Sequence, residues 1–260
     1  AMGDCSVISG GRNNTTSIYA CNSYIGGGYS NTLTCNFGVI SGGRWNTGTC
    51  YRTFIGNGDC NTTSCYSSIV VGGGYNIASN TASSVVGGCV NTASGKYSFI
   101  GNGTFNTVSG CYSTISGGYD NTLTGTYSSI VGGYSNVGLV YNGFIGGGYA
   151  NTTNATFSFI GNGSSNTTFG YTSVIGGGNA NTSSGYYSGV LSGKENAATC
   201  YTSTVVGGRL NRSLNAFGFV GGGYSNTVQG DSSTISGGYS NTINGVYSSI
   251  GGGRYNTSIS

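Results

Sequence analysis

The chain has 260 residues, 53 of them Gly, with eight Lys/Arg against five Asp/Glu for a net charge of +3, and it contains neither Pro nor His. Charged residues make up only 5%, far below the usual share of a soluble globule, and they stand singly, so no basic stripe exists to follow a nucleic acid. No apolar run approaches the roughly 18 residues of a spanning helix, so no insertion into a membrane is expected. Residues 1–5 lack the charged and apolar regions of a signal peptide. They read as an N-terminal end left by signal cleavage or as an expression scar.

From residue 6 to residue 260 one unit repeats. Its anchor is an Ile or Val at positions 8, 25, 40, 55, 70, 85, 100, 115, 130, 145, 160, 175, 190, 205, 220, 235 and 250, spaced by 15 after a first step of 17. Three residues after every anchor stands a Gly, and six after it an Asn, in all 17 units. Fixed periodicity of this kind specifies a solenoid, one supersecondary unit stacked on copies of itself. A disordered linker shares the low charge and the Ser, Thr, Asn and Gly content, but the invariant anchor with 21 Tyr and 10 Phe argues against it. The expected fold is therefore all-β: a single-domain parallel β-solenoid, or β-roll, of 17 stacked coils.

Within a coil the first strand is small-x-Ile/Val, as in Ser98-Phe99-Ile100. Alternation sends the anchor and the small residue two before it inward, and the residues flanking the anchor outward. A glycine corner follows, such as Gly146-Gly147-Gly148, whose third place excludes a side chain. The second strand is Asn-Thr-x-Ser/Thr-Gly. An inward Asn brings the position two later inside as well, often Leu, Val, Ala or Ile. Stacked at the normal strand spacing of about 4.8 Å, 17 coils give a rod of roughly 80 Å. Asn31, Asn46, Asn61, Asn76, Asn91, Asn106, Asn121, Asn136, Asn151, Asn166, Asn181, Asn196, Asn211, Asn226 and Asn241 then form an internal ladder, each amide donating to the carbonyl of the next, which keeps buried polar groups paired.

Outward of the anchors stand Val39, Phe54, Ile69, Phe99, Phe144, Phe159, Val174 and Phe219. Where that place is small, the residue after the anchor is often apolar instead, as with Val86, Val131, Leu191 and Val206. Such a stripe is too large to leave wet and predicts a lateral homo-oligomer. The alternative is that the faces are inverted and the row is core. The repeat runs to Asn256-Thr257 without a divergent cap, which suggests a fragment or end-to-end stacking into a filament.

Nine cysteines cannot all pair within one chain. Cys35 and Cys50 lie one coil apart in one column, and Cys5 and Cys21 one coil apart in adjacent columns, so both are candidate disulfides; the alternative is small inward residues standing in for Gly. No His and no clustered acids accompany them, so neither a metal nor any other cofactor is expected. Of eleven Asn-x-Ser/Thr matches, those in the ladder are structural, and Asn13, Asn102, Asn154 and Asn162 are the better glycosylation candidates. Catalysis is not expected: no His is available as a base, and Asp4, Asp59, Asp120, Glu195 and Asp231 are dispersed.

Stretches such as Tyr97-Ser98-Phe99-Ile100-Gly101 and Tyr247-Ser248-Ser249-Ile250-Gly251 resemble the head repeats of the YadA-like trimeric autotransporter adhesins, and the likeness covers the whole chain. The period here is one residue longer, an Asn-Thr strand replaces that family's Ala-rich one, and no neck, stalk or membrane barrel is expected within these residues. The resemblance implies a left-handed roll, extracellular display, trimerisation and adhesion. The corners at Gly146-Gly147-Gly148 and Gly221-Gly222-Gly223, each followed by Tyr-x-Asn-Thr, are similar to repeats of virion and surface-fibre proteins.

The function expected is thus an extracellular or cell- or virion-surface structural and adhesive fibre, partnered by itself as a trimer or filament and by glycans or a host surface. Tyr29, Tyr119, Tyr134, Tyr149, Tyr224 and Tyr239 at the corner would suit sugar stacking or packing between rods. The alternative is ice binding by outward Thr/Ser ranks such as Thr32/Thr34, Thr47/Thr49 and Thr92/Ser94, similar to insect β-solenoid antifreeze proteins. Those ranks are broken by Ile77, Val137, Ala197 and Arg212, and by Leu139, Phe169 and Leu214.

Overall fold

The computed structural model describes residues 1–259 and is a parallel β-solenoid without a helix, of about 17 turns at the 15-residue period. Contacts divide the chain into two compact units, Ala1–Gly132 and Gly133–Ser260. In each, every turn carries two strands of only two residues. One ends on the anchor (Val39–Ile40, Phe159–Ile160) and one follows the asparagine (Thr32–Leu33, Thr167–Thr168). The anchor strands pair in register from turn to turn, Ile40 on Ile55 and Ile160 on Ile175, as do the threonine strands, Thr32 on Thr47 and Thr152 on Thr167. A third contact line is a single-residue parallel bridge just after the corner, as in Tyr29 to Arg44 and Tyr149 to Ser164.

The core is a thin slab between the two strand rows. In the first unit Ile25, Leu33, Ile40 and Ile55 are fully buried, and in the second Ile160, Ile175, Val190 and Val228 are. The anchors are therefore inside and the flanking row outside, which rejects the inverted assignment. Interior hydroxyls complete the slab, and those of Thr63, Thr153, Ser158, Thr168, Ser173 and Ser213 find no hydrogen-bond partner there.

Composition gives no hint of how the bends are made. Besides the corner Gly, two non-glycine residues per turn sit at φ of 51–59°, the left-handed region that costs an L-residue about 1 kcal/mol. They fall five after and three before each anchor, and include Trp45, Val90, Phe157 and Leu210. Their reward is directional. Strand N–H groups donate to the following turn, Val39 to the Thr53 carbonyl at 2.9 Å and Val174 to that of Ser188 at 3.0 Å. The left-handed residues reverse the peptide and donate to the preceding turn, Trp45 to Tyr29 at 3.0 Å and Ala180 to Ser164 at 2.8 Å. Each turn is thereby bonded in both directions.

The irregular first step has a local explanation. Its two extra residues enlarge the second bend at Ile18–Cys21, leaving Ile18 and Tyr19 exposed while Ala20 fills the buried small-residue place.

Candidate interaction surfaces around an asparagine ladder

The asparagines are buried in both units, Asn31 to Asn121 in the first and Asn136 to Asn241 in the second. Their bonding differs from a simple amide chain. The Asn46 backbone N–H donates to Asn31 Oδ1 at 3.0 Å, and the Asn46 amide Nδ2 donates to the Gly42 carbonyl at 3.1 Å and to that of Gly58, in the next turn, at 2.7 Å. Asn166 repeats this with Asn151 Oδ1, the Asn162 carbonyl and the Gly178 carbonyl at 3.0, 3.3 and 3.0 Å. An amide-to-amide bond is added in some turns, Asn46 to Asn31 at 3.1 Å and Asn226 to Asn211 at 3.2 Å. The expected ladder is present, corrected in its wiring: the chief donor to each Oδ1 is the backbone of the next asparagine, and the amide N–H groups serve glycine corners. Only Asn offers two donors and an acceptor at this reach; Asp would lose the donors and stack charge.

The corner glycine completes the device. At Gly43, φ is 88°, and an added Cβ would run into the Gly58 carbonyl and lie 2.6 Å from Asn46 Nδ2. At Gly42 an added Cβ meets nothing nearer than 3.9 Å. The apparent triple glycine is therefore a requirement at its third place but not at its second, where Asn57, Asn102 and Asn162 stand in other turns.

Three outward surfaces surround this interior. On the anchor sheet, Phe99, Phe159 and Phe219 are exposed, and Val39, Phe54, Ile69, Phe144 and Val174 are half-buried. The six aromatic members of this row, Tyr24 included, each precede an anchor followed by Gly, and rings such as those of Phe54 and Phe159 reach within 3.5 Å of the place a Cβ would take there. The ring lies over the glycine, so one outward group per turn fills the site from either side of the anchor. Phe144 and Phe159 stack at 5.2 Å and 3°.

On the threonine sheet the two units part. In the first, the position three after the asparagine is Thr or Ser in every turn from Ser17 to Thr124, and the rank beside it is broken only by Ile77. In the second, Leu139, Phe169 and Leu214 interrupt one rank, and Val137, Ala197 and Arg212 the other. Around Arg212 the face opens into a cavity of about 430 Å³ lined by Leu210, Arg212, Leu214, Ser225, Thr227 and Gln229.

The bends carry aromatic rows. The corner row expected from sequence is present, with Tyr134 stacked on Tyr149 at 5.3 Å and Tyr224 on Tyr239 at 5.0 Å. A second row, at the opposite bend three and four residues before the anchors, escaped the sequence reading; its signal was there in recurring Tyr and Phe at those offsets and in the Tyr186-Tyr187 pair. Six of the eight basic residues lie over these rings, Arg44 on Trp45 at 5.2 Å and Arg254 on Tyr255 at 4.8 Å among them.

The remaining candidates are placed as follows. All nine cysteines are free thiols, so neither Cys35–Cys50 nor Cys5–Cys21 is bridged. For Cys35 and Cys50, which share one in-register column, the Cβ atoms are as far apart as the Cα atoms, about 4.8 Å, whereas a disulfide draws them to about 3.8 Å. Burial, and then the neighbouring Cys50, push the Cys35 thiol up to about 11. Asn13, Asn102, Asn154 and Asn162 are exposed, while the sequon asparagines Asn61, Asn151, Asn166 and Asn181 are buried in the ladder. Asp59 is held below the usual carboxylate range by its hydrogen bond to Arg44, 2.6 Å away, and Glu195 pairs with Arg209 at 3.4 Å. Among the described residues no group of three or more His, Cys, Asp or Glu could hold a metal ion, and no helix is long and apolar enough to cross a membrane. Compared with known proteins, the chain matches no family model and no curated sequence.

Proposed function

We propose that this chain is a non-catalytic structural and adhesive solenoid of the extracellular or cell- or virion-surface class, working as a lateral homo-oligomer in the manner of the YadA-like heads it resembles. The outward apolar row of the anchor sheet carries this reading. Fourteen of 17 turns contribute to it, and Phe99 and Leu191 remain 38% and 51% exposed, an arrangement that a second copy would cover. Against catalysis stand the absence of His and the ion pairing of Asp59 and Glu195.

The test is sedimentation velocity with negative-stain imaging of the wild type and of a Phe99→Ser/Phe159→Ser/Phe219→Ser variant. Side-by-side oligomers that fall to monomer in the variant support the reading. A wild type that stays monomeric at every concentration ends it.

Ice binding is kept as a second reading on one observation, the unbroken hydroxyl rank from Ser17 to Thr124 in the first unit. Thermal hysteresis abolished by Thr49→Lys/Ser109→Lys supports it, and a zero reading for the wild type removes it.

A further inference from the structure

Six consecutive turns of the second unit carry an aromatic ring at the bend before the anchor strand. The ring alternates between two neighbouring columns: Tyr141, Phe157, Tyr171, Tyr187, Tyr201 and Phe217. Successive ring centroids are 5.5–6.1 Å apart and the planes cross at 75–88°, so edges and faces alternate along the row. All six are between 38% and 55% exposed. Tyr186, exposed as well, stacks on Tyr171 at 5.9 Å.

Charge decides what such a row can hold. Between Tyr141 and Phe217 the other members of the two columns are Asn, Thr, Tyr and Ala, with no Lys, Arg, Asp or Glu among them, and the row is closed in the next turn by Asp231, whose Oδ1 accepts from the Ala216 N–H at 3.2 Å. The corresponding bend of the first unit places Arg52 over Tyr51 at 5.1 Å and Lys96 over Tyr97 at 5.3 Å. A charge-free strip of rings interleaved with hydroxyls and amides complements a ligand that is itself uncharged, with apolar C–H faces and hydroxyl rims in every residue. A run of one ring per turn, each turn rising about 4.8 Å, further requires that ligand to be extended.

We propose that this strip of the second unit binds a neutral, extended polysaccharide, with pyranose C–H groups packed against the exposed faces and edges of Tyr171, Tyr187 and Tyr201 in turn and sugar hydroxyls bonded to Thr172, Thr202 and the tyrosine hydroxyls. Tyrosine suits this role because it joins a rigid apolar face to a donor-acceptor tip. The proposal gives the adhesive part of the proposed function its ligand class and rests on that part alone; it is independent of lateral assembly through the anchor sheet.

The test is affinity electrophoresis toward the cathode, through native gels containing hydroxyethyl cellulose, glucomannan or the acidic polysaccharide alginate. Retardation by at least one neutral polymer is expected. The apparent Kd should rise at least tenfold in Tyr171→Ala/Tyr187→Ala/Tyr201→Ala and stay unchanged in Tyr97→Ala/Tyr112→Ala/Tyr127→Ala of the first unit, both variants keeping the wild-type circular dichroism. No retardation by either neutral polymer, retardation by alginate alone, or equal loss in the two variants overturns the proposal. So does a second-unit variant that loses oligomers in sedimentation while its neutral-gel mobility is unchanged, an outcome that assigns the strip to a second copy of the chain. Because the anchor-row variant separately reads lateral assembly, failure here is distinguishable from failure there.

Discussion

The two units share their inward columns and the outward apolar row of the anchor sheet, and differ on the threonine sheet and at the bend before the anchors. In Ala1–Gly132 the threonine sheet presents an unbroken hydroxyl rank, and the bend before the anchors carries Arg52 and Lys96 on its rings. In Gly133–Ser260 that sheet is interrupted at Leu139, Phe169 and Leu214, and the same bend carries a neutral aromatic strip from Tyr141 to Phe217. The contrast follows from what each position touches. An inward residue meets its own copies in the turns before and after, so a change breaks two contacts at once. An outward residue meets solvent on one side and is free to specialise.

If the interior is one solution repeated, matched changes in the two units should have equal effects. The largest is expected from Gly43→Ala and Gly163→Ala, where φ is 88° and 107° and a Cβ meets the next turn's backbone. Each should lose roughly 4 kcal/mol in urea unfolding, the upper range for single changes; Gly42→Ala, with open space, should be silent. Next come Asn61→Ala and Asn166→Ala, each stripping partners from the next asparagine's N–H and from two carbonyls, for about 3 kcal/mol. Thr63→Val and Thr168→Val should both raise the melting temperature, by about 1 kcal/mol of stability, because each removes a buried hydroxyl without a partner. A strong inequality between units in any of these pairs would break the comparison.

Smaller effects sharpen it from outside. Cys35 belongs to the first unit alone, and its thiol is raised from 9.0 to about 11. The folded state therefore holds the proton longer than the unfolded chain. The associated stability is complete below pH 9, declines as pH rises from 9 to 11, and is lost above. Cys35→Ser should flatten that part of the pH dependence in urea titrations, and iodoacetamide should label Cys35 slowly at pH 8. Thr47→Lys and Thr167→Lys, both outward, should change stability by no more than about 0.5 kcal/mol.

Much of this was written in the repeat itself. The anchors at Ile40 and Ile160, the inward asparagines and the obligate glycine at Gly43 are one-residue-per-turn columns, and stacking converts sequence identity directly into spatial contact. The residues −1 and +1 to the anchor could be assigned outward from alternation alone. Other features were illegible for stated reasons. The left-handed positions at Val90 and Leu210 carry no propensity signal, because the inter-turn hydrogen bonds they permit override side-chain preference. The true acceptors of the asparagine amides, the Gly58 and Gly178 carbonyls among them, are backbone atoms that no pattern of side chains reveals.

The sequence by itself determined the period and the register, since a strict repeat in a parallel stack leaves no other consistent pairing, while burial of the anchors in the structure decided which face is hidden. The tertiary structure decided the direction in which each bend donates its hydrogen bonds, the unbridged state of the stacked cysteines, and the assembly of scattered tyrosines into a continuous strip. Those depend on peptide orientation and on distances between turns, quantities set only when the coils close on one another.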